Sequence, residues 1–237
     1  MPPPAPVAPG YHRHMPDQPR DLPATSEMRR RLRRAALLTS GAGIAYGVLT
    51  IISWWLLGQD REAIASAEDP FAYYVDGGFG GTVVAGMYLL PFAAILFLWF
   101  IVALRGWIRS SGHRRNMLVS DLQLVSGVAF TAVFLVGSGA VATSVVATAS
   151  ESDVAYDSLR TLAAFGHTLM NVMGVRMAGI FVLATSTLGM TTGVLPRWFN
   201  LLGYAFGVVL MLSPVVEPSF TLAFPIWVVA LSVMLLY

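Results

Sequence analysis

Few side chains in the apolar part of this chain could do chemistry, and the most unusual of them is Arg176. It lies near the centre of a long apolar run, 159–189. If that run is in lipid, an arginine there costs about 2.5–3.5 kcal/mol on insertion scales. No apolar run carries a carboxylate at comparable depth. Arg176 therefore predicts a site for an anion, a lipid headgroup or a protein partner. The alternative is a structural arginine that bonds backbone carbonyls or extends toward the cytoplasmic interface.

His167 and Asn171 are the other candidate ligand-binding residues of the same run. They are one helical turn apart and share a face. Arg176 is nine residues from His167, which is about 180° around an uninterrupted α-helix at about 100° per residue. The sequence therefore predicts two separate polar positions on this helix, not one combined site.

A serine–histidine pair is the candidate catalytic arrangement. Ser138, in Gly137-Ser138-Gly139, and His167 lie at similar predicted depths, about 10–12 Å below the outer surface at 1.5 Å per residue. A serine nucleophile with a histidine base would be similar to rhomboid-type intramembrane proteases. Val136 stands where the first glycine of their Gly-x-Ser-Gly motif belongs. The alternative is close helix packing at small residues.

Cofactor and metal sites are not predicted. His167 is the only histidine in an apolar run, so a haem would need a methionine as its second ligand. The candidates are Met87, Met170, Met173, Met177 and Met211, and methionines at helical spacing usually serve packing. The chain has no cysteine, no HExxH, no aspartate-rich cluster and no phosphate loop.

The elements that position these residues are predicted to be membrane helices. The 237 residues are 56% hydrophobic and only 12% charged, about half the charge of a soluble domain. Six runs have approximately the 20 apolar residues that cross a bilayer. These runs are 35–58, 81–104, 121–147, 159–189, 198–216 and 219–236. We therefore predict an all-α, polytopic bundle of six transmembrane helices over 29–237, with a disordered, proline-rich tail over 1–28.

Arginine placement predicts the orientation. Twelve of the fifteen basic residues, all of them arginine, fall in the tail, in the cluster 29–34 that follows it, in the 105–115 region or at Arg197. Only Arg61 and Arg160 fall in the opposite loops. Because cytoplasmic loops carry the excess of arginine, both termini are predicted to be cytoplasmic. The absence of lysine suggests a GC-rich bacterial genome, and hence a bacterial cytoplasmic membrane.

Pairs of glycines four residues apart predict where helices approach closely. They are Gly43 and Gly47 in the first run and Gly203 and Gly207 in the fifth. Small residues at this spacing let backbones come together. We interpret both pairs as packing sites within the chain.

Several short motifs are similar to those of a group of bacterial six-helix integral membrane proteins to which no reaction is assigned. The resemblance covers roughly residues 80–236. The motifs are FLWFI at 97–101, RMAGIF at 176–181, LPRW at 195–198 and FPIWV at 224–228. The resemblance implies a six-helix membrane protein and brings no catalytic residues.

The sequence thus favours a non-enzymatic membrane component: an accessory subunit, sensor or scaffold. One alternative is a small transporter or lipid-binding protein that uses Arg176, and a weaker one is an intramembrane serine hydrolase that uses Ser138 and His167. The expected partners are membrane lipids and a membrane protein or a second copy of the chain, and no nucleic acid.

Overall fold

A computed structural model describes residue 1 and residues 36–56, 84–110, 117–149, 156–212 and 218–236. Over these residues the fold is all-α, with six helices, as predicted, and no strand. The proline-rich tail, the cluster Arg29–Arg34 and the acid-rich segment after the first helix lie outside the described residues, apart from Met1.

The six helices follow the predicted runs closely. α1 covers Ala36–Leu56. α2 begins as a π-helical turn, Val84–Leu89, and continues as Leu90–Ser110. α3 is Met117–Ala149. α4 consists of Tyr156–Thr168, a π-turn at Leu169–Gly174, and Val175–Thr192. α5 is Arg197–Leu212 and α6 is Pro218–Met234.

Four helices, α1 to α4, are long and apolar enough to cross a membrane. α5 and α6 have 16 and 17 residues. At 1.5 Å per residue they measure about 24–26 Å, less than the roughly 30 Å of hydrocarbon. The six-helix bundle is confirmed, and a full crossing by α5 and α6 stays a prediction.

Prolines and one glycine explain several local features. A proline ring clashes with the carbonyl four residues earlier, and the π-turn of α2 comes immediately before Pro91. Pro218 is the first residue of α6, where its missing N–H is not needed. α4 ends at Gly193, whose φ of 68° is the left-handed conformation that terminates helices. The chain then turns through Pro196, whose carbonyl accepts the first amides of α5.

Glycines set the closest helix contacts, as predicted. A Cβ at Gly179 of α4 would lie 3.0 Å from the carbonyl oxygen of Gly207 in α5, and a Cβ at Gly207 would lie 3.1 Å from that of Gly179. Gly43 and Gly47 of α1 meet Ser232 and Val229 of α6. Both predicted glycine pairs therefore serve packing within the chain.

An aromatic block fills the centre of the bundle. Phe97 of α2 is fully buried, and its ring contacts one ring of its own helix and one ring from each of four other helices, at centroid distances of 4.7–6.0 Å. Its partners are Tyr46, Phe100, Phe130, Phe181 and Phe224. Trp227 and Phe199 extend the block to α5. Rings in such offset and edge-to-face contacts add stability beyond the surface that they bury.

Four buried hydroxyls in and beside the block bond the backbone of their own helices. Thr50, Thr131, Thr185 and Ser232 each donate to the carbonyl four residues earlier, at 2.8–2.9 Å. Lipid offers no hydrogen-bond partners, so such bonds keep polar side chains tolerable in a membrane helix. Hydrogen bonds also cross between helices: Gln123 Nε2 of α3 donates to Thr185 Oγ1 of α4, and Tyr204 Oη of α5 donates to Thr187 Oγ1 of α4, both at 2.9 Å.

Two amphipathic aromatic residues of α2 lie about one hydrocarbon thickness apart along the helix. On α2, Tyr88 and Trp107 are 19 residues apart, which corresponds to about 28 Å. Trp55 of α1 lies toward the same end as Tyr88, and both are 59% exposed. Tryptophan and tyrosine favour membrane interfaces, so we refer to the level of Trp55 and Tyr88 as the Tyr88 belt.

α3 and α4 extend past the Tyr88 belt. α3 has 33 residues, about 50 Å, and Gly139 is nine residues beyond Phe130 of the aromatic block. We call residues 137–149 of α3 with residues 156–168 of α4 the hairpin arm. Its two helices pack on each other, with Gly137 and Gly166 at their closest contact.

Candidate functional site

Arg176 lies in the first turn of α4 after its π-turn and is half-buried. Its Nη1 donates to the carbonyl oxygen of Val172 at 2.7 Å. In an uninterrupted α-helix this carbonyl would accept from the backbone N–H of Arg176 itself. Val172 lies within the π-turn, and the arginine side chain is a donor to its carbonyl. The predicted bond to a backbone carbonyl is therefore confirmed.

The direction of the side chain differs from the sequence-based expectation. Val172 is toward the N-terminal end of α4, which is the end of the Tyr88 belt. Helical side chains tilt toward the N-terminus of their helix, so Arg176 extends that way and not toward the end that holds Arg105 and Arg197. The expected extension toward the predicted cytoplasmic end, which holds Arg105 and Arg197, is therefore not observed, and which end is cytoplasmic stays a prediction.

Arg176 shares a face of α4 with residues that contact α5. Gly179 and Leu183 follow it at spacings of three and seven residues, and both meet Gly207. Met211 lies against Gly179, so the last described turn of α5 is at the level of Arg176. Arg176 is thus close to the level of Met211, in the last turn of α5.

The ion pair of the described residues lies at the other end of the bundle. Arg105 of α2 pairs with Asp121 of α3, which is exposed to the surroundings. Sequence reasoning used Arg105 only as a marker of orientation and missed this pair. The signal was present, because Asp121 is the one acid at the start of a run that adjoins the arginine-rich end. Among the described residues, Arg176 has no carboxylate partner.

Ser138 and His167 are on adjacent helices, next to the Gly137–Gly166 contact. Ser138 is buried, and its Oγ donates to the carbonyl of Leu135 on its own helix at 3.1 Å. His167 is on the exposed side of α4. The structure therefore brings the two helices together but gives the two side chains different surroundings. The catalytic pair stays a prediction.

The depth of this pair differs from the sequence estimate. Ser138 is eight residues beyond Phe130, about 12 Å, which places it near the Tyr88 belt. The sequence estimate of 10–12 Å took the outer end of the third run as the membrane surface. In the structure, α3 extends beyond the level of the Tyr88 belt as far as Ala149. Ser138 is consequently close to the interface.

The π-turn also changes the relation of His167 and Asn171 to Arg176. A π-turn contains about one residue more per turn than an α-helix, so it rotates the residues before it by about 100° relative to those after it. The expected 180° between His167 and Arg176 therefore does not apply. They remain about 13 Å apart along the axis, and half-buried Asn171 lies between them within the π-turn.

The methionines considered as haem ligands have packing roles. Met170 lies against Gly137, and Met211 against Gly179. Met177 packs against the aromatic block, whereas Met173 is 47% exposed. The side chain of Met87 is outside the described residues. In the part of the chain that the structure describes, no group of three or more histidines and acids lies together.

A small cavity is present beside the π-turn of α4. Its walls include Tyr46, Phe130, Met170, Val175 and Pro225. Its volume of about 10 Å³ accommodates roughly one water molecule.

Comparisons with known proteins gave no match to a family model, a curated protein or a solved structure.

Proposed function

We propose that this chain is a non-enzymatic membrane component, such as an accessory subunit, sensor or scaffold, that binds an anionic group through Arg176. The observation that carries the proposal is the state of this arginine: it is half-buried, with one hydrogen bond, to Val172, among the described residues. A guanidinium has five N–H donors, and those that find no partner among the described residues can bind an anionic group. An anionic partner would satisfy them.

The packing of the interior supports a component that works through its surface. Rings from all six helices meet in the aromatic block and its extension. The cavity beside the π-turn holds no more than about one water. Substrate pockets are typically about 300–1,000 Å³, much larger than this cavity.

Two alternatives make different use of the same helices. A small transporter or lipid-binding protein would also use Arg176, and it is favoured by the same half-exposed charge. An intramembrane hydrolase would use Ser138 and His167, and the bond of Ser138 to Leu135 is no support for it. A fluorophosphonate that labels the wild type and spares Ser138→Ala would favour the hydrolase.

The orientation belongs to the same proposal. We place both termini in the cytoplasm of a bacterial cell, on the evidence of the arginine distribution. The chain has no cysteine, so single cysteines are readily introduced for labelling with an impermeant maleimide. In intact cells we expect labelling at position 66 and none at position 113. The reverse pattern would contradict the orientation.

The experiment that tests the function compares what copurifies with wild type, Arg176→Gln and Arg176→Lys in mild detergent. We expect Arg176→Gln to lose a specific lipid or protein while its melting temperature stays within a few degrees of the wild type. Copurification that is identical in all three proteins would contradict a binding role.

A further inference from the structure

We infer that the anionic group at Arg176 is the phosphate of a phospholipid in the leaflet of the Tyr88 belt. This inference rests on the proposed function and names the ligand of its site. It is argued from the level of the guanidinium, from the direction of the side chain and from the chemistry of the N–H donors that have no partner among the described residues.

Ring contacts in the aromatic block define a reference level, which is the position of the Phe97 ring along the length of the bundle. Phe97 contacts Tyr46 of α1 at 4.7 Å and Phe181 of α4 at 5.4 Å. Trp55 is nine residues beyond Tyr46, Tyr88 is nine before Phe97, and Val172 is nine before Phe181, all toward the same end. At 1.5 Å per residue each is about 13 Å from the reference level. Val172 is therefore at the level of the Tyr88 belt.

The guanidinium is at that level because it bonds the Val172 carbonyl. The Cα of Arg176 is only five residues from Phe181, about 7 Å from the reference level. The side chain of Arg176 accordingly extends from a Cα at an apolar depth to a guanidinium at the level of the membrane interface. Arginines near helix ends commonly extend to headgroups in this way.

Phosphate is the group that the chemistry of this position favours. Headgroup phosphates are adjacent to the aromatic belt of a membrane protein. A guanidinium presents a planar fork of N–H donors that matches two oxygens of one phosphate. The guanidinium, at the level of the Tyr88 belt, is about 13 Å from the reference level. A carboxylate at the middle of a partner's membrane helix would therefore be too deep for the guanidinium to reach.

Arg160 provides a matched control on the same helix. It is exposed and lies 16 residues before Arg176, about 24 Å along α4, in the hairpin arm. It has the same charge and the same side chain but a position beyond the belt. Loss of lipid on changing Arg176 and not Arg160 would therefore report the position, not the net charge.

The test is native mass spectrometry of the full chain after reconstitution with phosphatidylglycerol and transfer to lipid-free, non-ionic detergent. We expect wild type and Arg160→Gln to retain one phosphatidylglycerol more than Arg176→Gln. Arg176→Lys should retain it several-fold less often than wild type, because an ammonium cannot form the bidentate contact. Millimolar inorganic phosphate should not displace the lipid.

Four outcomes would overturn the inference. Equal retention by wild type and Arg176→Gln would show that the arginine is satisfied by protein. Displacement by inorganic phosphate would identify the ligand as a free anion. If Arg176→Gln does not fold, retention by Arg176→Lys equal to that of wild type would decide against the phosphate contact. A protein that copurifies only when Arg176 is present, with lipid retention unchanged, would sink this inference and leave the proposed function in place.

Discussion

The aromatic block and the hairpin arm are built from parts of the same two long helices, α3 and α4, yet they are packed in different ways. In the block, Phe130 and Phe181 meet rings from α2 and α6 and lie among fully buried neighbours. In the arm, α4 packs on α3 through glycine and leaves His167 and Arg160 exposed. The comparison indicates that stability is concentrated in the block, whereas the polar residues available to partners are at its boundary and beyond.

The π-turn at Leu169–Gly174 separates these two regions on α4. The residues of α4 that face α3 follow a spacing near four: Gly166, Met170, Gly174, Ala178, Phe181 and Thr185. An uninterrupted α-helix would drift off this line by about 40° at each step of four. The π-turn therefore keeps α4 against α3 from the arm into the block.

The largest effect is expected at the centre of the block. Phe97→Ala removes a ring that contacts five others, and it should cost about 3 kcal/mol of unfolding free energy through the cavity it leaves. Trp99→Ala is the control, because Trp99 is 70% exposed on the same helix. Unfolding by a denaturing detergent measures both. Equal losses would contradict a stabilising block.

In the hairpin arm, the expected change in the free energy of unfolding is smaller. Whether a substitution destabilises or stabilises the chain there tests how closely the two helices pack. Gly166→Ala would place a Cβ 2.5 Å from the Gly137 carbonyl, so it should destabilise the chain by about 1–3 kcal/mol. Gly139→Ala meets nothing within 4 Å and should be neutral or stabilise by up to about 1 kcal/mol, from helix propensity. Thermal unfolding of both variants compares them. A stabilising Gly166→Ala would show that the two helices do not approach this closely.

A still smaller change is expected for the hydrogen bond between α3 and α4. Thr185→Val removes the acceptor of Gln123 Nε2 and should cost about 0.6 kcal/mol, the average for such bonds in a membrane protein. Thr143→Val, at an exposed position in the arm, is the control. Hydrogen exchange of the α3 and α4 amides would locate the loss. No change in exchange near Gln123 would argue against the bond.

Much of the fold could be predicted from the sequence, because membrane helices require long apolar runs and the chain has six of them. The glycine pairs also predicted two close helix contacts within the chain, and the structure places them between α1 and α6 and between α4 and α5. The helix ends were less accurate, since α2 continues six residues past the predicted end at 104 and brings Arg105 to Asp121. From the sequence alone, a charged residue at the end of an apolar run can mark either the start of a loop or a helix that continues beyond the bilayer.

The candidate site was predicted in identity but not in direction. Arg176 is conspicuous by its charge in an apolar run, and its bond to a backbone carbonyl was one of the expected outcomes. Its extension toward the Tyr88 belt depends on the orientation of α4 and on the π-turn, and no residue type signals a π-turn. The relation between His167, Asn171 and Arg176 could not be derived for the same reason.

The most direct measurement of the central claim is the melting temperature of wild type and Arg176→Gln with and without added phosphatidylglycerol. A ligand that binds only the folded state raises its stability in proportion to the logarithm of its concentration. If Arg176 holds a lipid phosphate, wild type should melt several degrees higher when phosphatidylglycerol is added, and Arg176→Gln should show little or none of this increase. An equal increase in both proteins would contradict a lipid site at Arg176.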